Sequence, residues 1–241
     1  MSTVDLPGVG ANLIDHPLSS VALVPKPGVC DKTQPVVQVG VRHTTPGSAE
    51  WNDMQLFMIS QADLTEIPAL MAIVGAPRVF AVAVALQRPR SRGRLSLTSP
   101  DPRTQPRIEL NYLDHPEDMR RMVDGVRLAW RVAQWPAIAR HADHIAILTE
   151  EMVASDEVLQ GYLQMTVSTV YHPVGMARMG PDGDAGAVVD QRGRVRGVDG
   201  LAVADASIMP NVPRANTNLT CIMIGERVAD WMRADAPARE R

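Results

Sequence analysis

Tyr171–Gly180 reads YHPVGMARMG, and the rest of the chain is best placed by working outward from it. Pro173 fixes the backbone after His172, and Gly175 and Gly180 permit tight turns with close backbone approach. A loop held between regular elements is where a scaffold positions a reactive side chain. Imidazole is suited to taking a proton near neutral pH, which makes His172 the candidate general base. His43, His115, His141 and His144 read as surface or satisfied core residues. His141 and His144 have i, i+3 spacing but no third ligand, so no metal site is expected.

On the C-terminal side, Leu201–Ala204 reads as a short strand that ends at Asp205-Ala206-Ser207. Asn216 or Thr217 then caps a last helix running to about Arg233. Pro181–Gly200 is rich in Gly and Asp and reads as loop with a short hairpin at Arg192–Val198. A helix N-terminus offers free N–H groups to an anion or an electron-rich carbonyl. A carboxylate at a strand end can accept from sugar-type hydroxyls. From the residues alone a plainer alternative stays open: Asp205 and Ser207 only make a turn, and Asn216 only caps. Pro237–Arg241 is expected to fray.

On the N-terminal side, Leu18–Arg94 is mostly β in pattern, with segments at Val36–His43, Asp53–Ser60 and Val79–Gln87. Arg94–Thr98 and Arg107–Tyr112 continue the alternation around a proline-rich loop at Ser99–Pro106. Strands in such succession predict one antiparallel sheet. At Pro116–Gln134 the period changes to three and four residues, through Met119, Met122, Val123, Val126, Trp130 and Ala133: an amphipathic helix with Asp114 or His115 near its cap. Its Glu117, Arg120, Arg121 and Asp124 are expected to form a solvated face. Ser155-Asp156-Glu157 opens another helix, to about Val167. Met1–Pro17 reads as turn or extended connection. Gly8 and Gly10 do not make a dinucleotide loop, because no useful strand precedes them and the third glycine is absent.

The 241 residues are enough for a sizeable core. With 45% hydrophobic and 21% charged residues the chain has an ordinary globular composition. A net charge of -3 gives no general pull toward nucleic acid or anionic lipid. The cluster Arg88, Arg90, Arg92 and Arg94 lacks interleaved aromatics and reads as a solvated strand edge. Cys30 and Cys221 form no CxxC pair, so neither zinc nor a disulfide framework is expected. No run approaches membrane-span length, and Met1–Gly10 lacks signal-peptide character. The default location is cytoplasmic.

Four blocks, in order, resemble the C-terminal region of the glucose-methanol-choline (GMC) family of FAD-dependent oxidoreductases: Leu6–Pro17 (LPGVGANLIDHP), Ser91–Tyr112, Tyr171–Gly180, and Gly200–Asp230 with its DASIMP and NTNLTCIMIGERVAD segments. The resemblance implies FAD as cofactor, a small-molecule alcohol as substrate, and hydride transfer from the carbinol carbon. It implies that His172 is the base and that Asn216, at the family's second His-or-Asn position, hydrogen-bonds the alkoxide. It implies FAD contacts at Asp205, Ala206, Thr217 and Asn218. Met176 stands where the family usually has Thr.

The expected fold is α+β, with an antiparallel substrate-domain sheet backed by helices. To it are added the C-terminal strand and helix of an incomplete FAD-binding domain. The expected divisions are 1–20 connecting segment, 21–170 substrate domain, 171–235 active-site loop and return to the FAD domain, and 236–241 disordered tail. The family's GxGxxG unit does not occur in the sequence. The chain is therefore expected to be part of a larger or split enzyme, with an N-terminal FAD-binding half as partner, or else an inactive or non-catalytic subunit. Its last helix is then expected to leave Ile222, Met223, Val228 and Trp231 short of packing partners and to favour association.

Overall fold

Period-two burial runs through Pro17–Pro25 (β1), where every second residue up to Leu23 is buried. In the computed structural model, which describes residues 4–235, β1 belongs to the first of two compact units. This sheet unit comprises Pro17–Arg90 and Leu113–Val170. The second, the histidine unit, gathers the segment ending at His16, Ser91–Tyr112 and the segment beginning at Tyr171.

After β1 come β2 (Val37–His43), β3 (Met54–Asp63), a helix α1 (Pro68–Val74) and β4 (Arg78–Leu86). β4 is buried from Val79 to Leu86, as a Val/Ala run covered on both faces should be. In the histidine unit, β5 (Arg94–Ser96) and β6 (Arg107–Glu109) form a separate two-stranded sheet. The sheet unit resumes with α2 (Pro116–Ala133), α3 (Pro136–Ala139), β7 (Ala142–Ile145), α4 (Glu150–Ala154), α5 (Asp156–Thr166) and β8 (Ser168–Thr169). Its antiparallel sheet has the order β2-β3-β4-β1-β7, with β8 also on β1. α2 lays Met122, Val123, Val126, Ala129 and Ala133 inward and packs on β4 and β1. Gly125 sets the closeness of that packing, since a Cβ there would lie 2.7 Å from Val84 Cγ2. His115 caps α2 by accepting from the Glu117 amide, and Ser155 caps α5 by accepting from that of Val158.

Several expectations change. Arg121 is not on a solvated face: it is 1% exposed. Its guanidinium donates to Asp118 at 2.7 Å, to Asp53 at 3.2 Å and to the Arg88 carbonyl at 3.0 Å. The carboxylates are completed by backbone donors, Thr45 N–H to Asp53 and Arg90 N–H to Asp118. A buried charge is tolerated only when it is saturated in this way. α1 interrupts a stretch expected to be mostly strand; it starts at Pro68 and ends at Gly75 in the left-handed region.

The strands at 94–98 and 107–112 do not join the main sheet, and the 91–112 stretch clusters with the histidine unit rather than within 21–170. The N-terminal segment holds it there: Leu13 and Gly93 exchange backbone bonds of 3.2 and 2.7 Å, and Leu95 N–H donates to the Gly10 carbonyl. The strand expected at Leu201–Ala204 reduces to a bridge between Arg194 and Ala202, and the 192–198 hairpin to isolated bridges, in a stretch broken by glycine turns. The last helix, α6 (Asn218–Asp235), buries Ile224 and Val228 against Ile14, Val174 and Ile208, while Ile222 and Met223 stay exposed. The tail 236–241 lies outside the described residues. Among the described residues, no helix is long and apolar enough to cross a membrane, and no three His, Cys, Asp or Glu side chains are arranged to hold a metal ion.

Candidate active site

The loop carrying His172 is laced on both sides by backbone bonds. Val174 and Ile14 exchange bonds of 2.8 and 3.0 Å, and Gly10 N–H donates to the Met176 carbonyl at 2.7 Å. On the other side Gly175, Ala177 and Met179 donate to the carbonyls of Ala206, Ser207 and Ile208. Gly175 is required twice over: its φ is 89°, and a Cβ would lie 2.3 Å from the Asn12 carbonyl oxygen. Tyr171, just before the histidine, adopts φ 62°, a left-handed bend that costs a non-glycine residue about 1–3 kcal/mol.

His172 is half-buried, and its Nδ1 lies 2.9 Å from Nδ1 of His16, with the two rings at 90°. His16 is completely buried, and its Nε2 lies 3.0 Å from the Pro213 carbonyl oxygen. A carbonyl can only accept, so Nε2 of His16 carries a proton. In a neutral His16, Nδ1 is then an acceptor and His172 must donate from its own Nδ1. The lone pair of His172 is left on Nε2. Asp15, 5% exposed, accepts through Oδ1 from the backbone N–H groups of His16 (2.7 Å) and His172 (2.9 Å), and through Oδ2 from the Tyr112 hydroxyl at 2.5 Å. Burial pushes His172 below the ordinary histidine range, while the Asp15 charge pulls the other way.

His16, Asp15 and Tyr112 were not among the site residues expected from sequence. The usable signal was an acid and a histidine side by side, immediately before the proline that opens β1. Asn216 is exposed and makes no hydrogen bond to His172 among the described residues; it lies three residues beyond Pro213, whose carbonyl holds His16. Asp205 is exposed and caps a 3-10 turn (Ala206–Ile208), accepting from the Ser207 amide at 2.8 Å and hydroxyl at 2.6 Å. Thr217 is buried and its carbonyl accepts from the Cys221 amide, the first bond of α6. The N–H groups of Asn218, Leu219 and Thr220 precede that bond and point out of the helix end. Such a donor set suits an electron-rich carbonyl edge of the kind a flavin ring presents.

The GMC oxidoreductase family (its C-terminal domain) matches residues 89–225. Choline oxidase from Arthrobacter globiformis is 38% identical over 239 residues, covering 96% of this chain and 42% of that protein. The 5-(hydroxymethyl)furfural oxidase from Methylovorus sp. (strain MP688) is 34% identical, with 94% and 43% covered. Thus the chain spans less than half the length of these relatives. Among solved structures, pyridoxine 4-oxidase from Mesorbium loti superposes with a TM-score of 0.81 at 22% identity, covering 97% of this chain and 45% of the other. Formate oxidase from Aspergillus oryzae RIB40, a structure concerned with FAD modification, gives 0.80 at 22%, with 96% and 48% covered. The chain belongs to the GMC oxidoreductase family of FAD-binding flavoproteins.

Proposed function

We propose that this chain forms the substrate-side, proton-handling part of an FAD-dependent oxidoreductase acting on the CH–OH group of a small alcohol. The observation that carries it is the Nδ1–Nδ1 contact of His172 with His16. With its Nδ1–H committed to His16, His172 presents the Nε2 lone pair as general base to the substrate hydroxyl. When Nε2 takes that proton, the Nδ1–H bond to neutral His16 persists and strengthens, because its donor is now charged. Burial keeps the ring neutral, and so able to accept, at neutral pH.

Asn216 is assigned to hydrogen-bond the developing alkoxide. Support comes from its place just after Pro213 on the segment that anchors His16. Asp205, Ala206, Thr217 and Asn218 are assigned to hold the flavin, with the first-turn N–H groups of α6 toward its carbonyl edge. FAD, when bound, supplies the hydride acceptor. The alcohol class is supported by the relatives, since choline and 5-(hydroxymethyl)furfural both carry CH–OH groups. The GxGxxG pyrophosphate loop does not occur among these residues, and is assigned to an FAD-binding half outside them. The exposed row Leu219, Ile222 and Met223 on α6 is consistent with such a partner.

Flavin absorbance and alcohol oxidation test this, in the chain supplied with FAD and in the chain co-expressed with an FAD-binding half. His172→Ala is expected to keep the flavin spectrum of the active form and to lose about 100- to 10,000-fold in kcat. Full activity in that variant sinks the assignment.

A further inference from the structure

Asp15 is a buried carboxylate whose oxygens draw together three separate pieces of chain. Oδ1 receives the backbone N–H groups of His16, on the N-terminal segment, and of His172, on the loop; Oδ2 receives the hydroxyl of Tyr112, which follows β6. The His16 and His172 backbones are therefore tied to the same oxygen atom, at 2.7 and 2.9 Å. Their side chains meet at Nδ1 beside that shared anchor. The anchor also grips the peptide immediately after the left-handed bend at Tyr171, where an untethered loop would relax. We propose that Asp15 is a positioning residue: it sets the relative placement of the two imidazoles and, through His16, which nitrogen of His172 keeps its lone pair. The catalytic consequence of that placement, though not the placement itself, rests on His172 acting as the base.

Two substitutions separate geometry from charge. Asp15→Asn keeps an acceptor for both N–H groups, and its new amide donor meets Tyr112, whose hydroxyl rotates to accept. The contacts persist and the negative charge goes. Asp15→Ala removes both. Tyr112 meets this carboxylate through its titratable hydroxyl, whereas His16 and His172 meet it through backbone N–H groups, their imidazoles standing alongside.

Long-range 15N NMR of the histidine-labelled chain, titrated over roughly pH 5 to 8, reads tautomer and midpoint without any need for flavin. The parent is expected to show His172 protonated at Nδ1. Asp15→Asn keeps that tautomer and moves the His172 midpoint to lower pH, and Asp15→Ala gives mixed tautomers. In the active form Asp15→Ala is expected to lose about 100-fold in kcat with KM little changed, and Asp15→Asn much less. An unchanged tautomer and midpoint in Asp15→Ala overturns the proposal. Should that variant not fold, Asp15→Ser takes its place, since its single short hydroxyl cannot serve all three donors, and an unchanged His172 tautomer in it overturns the proposal equally. An active His172→Ala beside a disturbed tautomer in Asp15→Ala would remove the catalytic assignment and leave the positioning role standing. An inactive His172→Ala beside an undisturbed tautomer would do the reverse.

Discussion

Each unit of this protein buries a carboxylate-centred cluster. In the sheet unit, Asp53 and Asp118 close on the guanidinium of Arg121. In the histidine unit, Asp15 closes on two N–H groups and a tyrosine hydroxyl, beside a pair of imidazoles. Arginine is charged at every accessible pH, so the residue at the centre of the first cluster has no proton to exchange and serves to brace the fold. The second ends in a half-buried histidine whose Nε2 has no hydrogen-bond partner among the described residues, which leaves that nitrogen open to a proton. The difference lies in the terminal residue more than in depth of burial: one cluster ends in a permanent cation, and the other in an imidazole that can take up or release a proton.

The contrast is broken most severely by removing Arg121. Arg121→Ala strands two carboxylates that are fully buried and is expected to cost about 3–5 kcal/mol by denaturant unfolding. A cost near zero would show that the sheet unit does not depend on its ion cluster. Next in size is His16→Ala. It removes the acceptor that fixes the His172 tautomer and is expected to lower kcat about 10- to 100-fold, the range seen for partners that orient a ligating histidine. The fold should be retained, since the loop is still laced through Val174 and Ile14. A kcat as low as that of His172→Ala would mean that the two imidazoles act as one unit, and that His16 does more than orient its neighbour.

The same contrast governs what could be read from sequence. α2 and β3 were legible because burial on one face imposes a period, and β4 because a strand covered on both faces reads as a short apolar run. β2 showed only mixed alternation and is exposed along nearly all its length, and β1 lay in a stretch read no more finely than mostly β. Arg121 was misplaced because its partner Asp53 lies 68 residues away, and a helical wheel shows only local neighbours. His172 stood out through its Pro and Gly neighbours. His16 did not, because Asp-His-Pro reads locally as a turn, and the contact that gives it meaning spans 156 residues. The α6 face was legible in part. Its apolar content was visible, but not the division between Val228, which packs inward, and Leu219, which is 78% exposed.

The smallest effect is the most diagnostic. His172 is held below the usual histidine value of about 6.5, so the neutral base is complete above that pH and is lost as pH falls through the folded value. Stability follows the same sign: a depressed histidine favours the unfolded chain in acid, so its contribution is full above about 6.5 and declines as pH drops below it. The deciding measurement is the pH dependence of flavin reduction by alcohol in the active form, for the parent and for His172→Ala. One acid limb with a midpoint below about 6.5, absent from His172→Ala, is the predicted result. Two comparable basic limbs, or the same limb surviving in the variant, would contradict the assignment of His172 as the base.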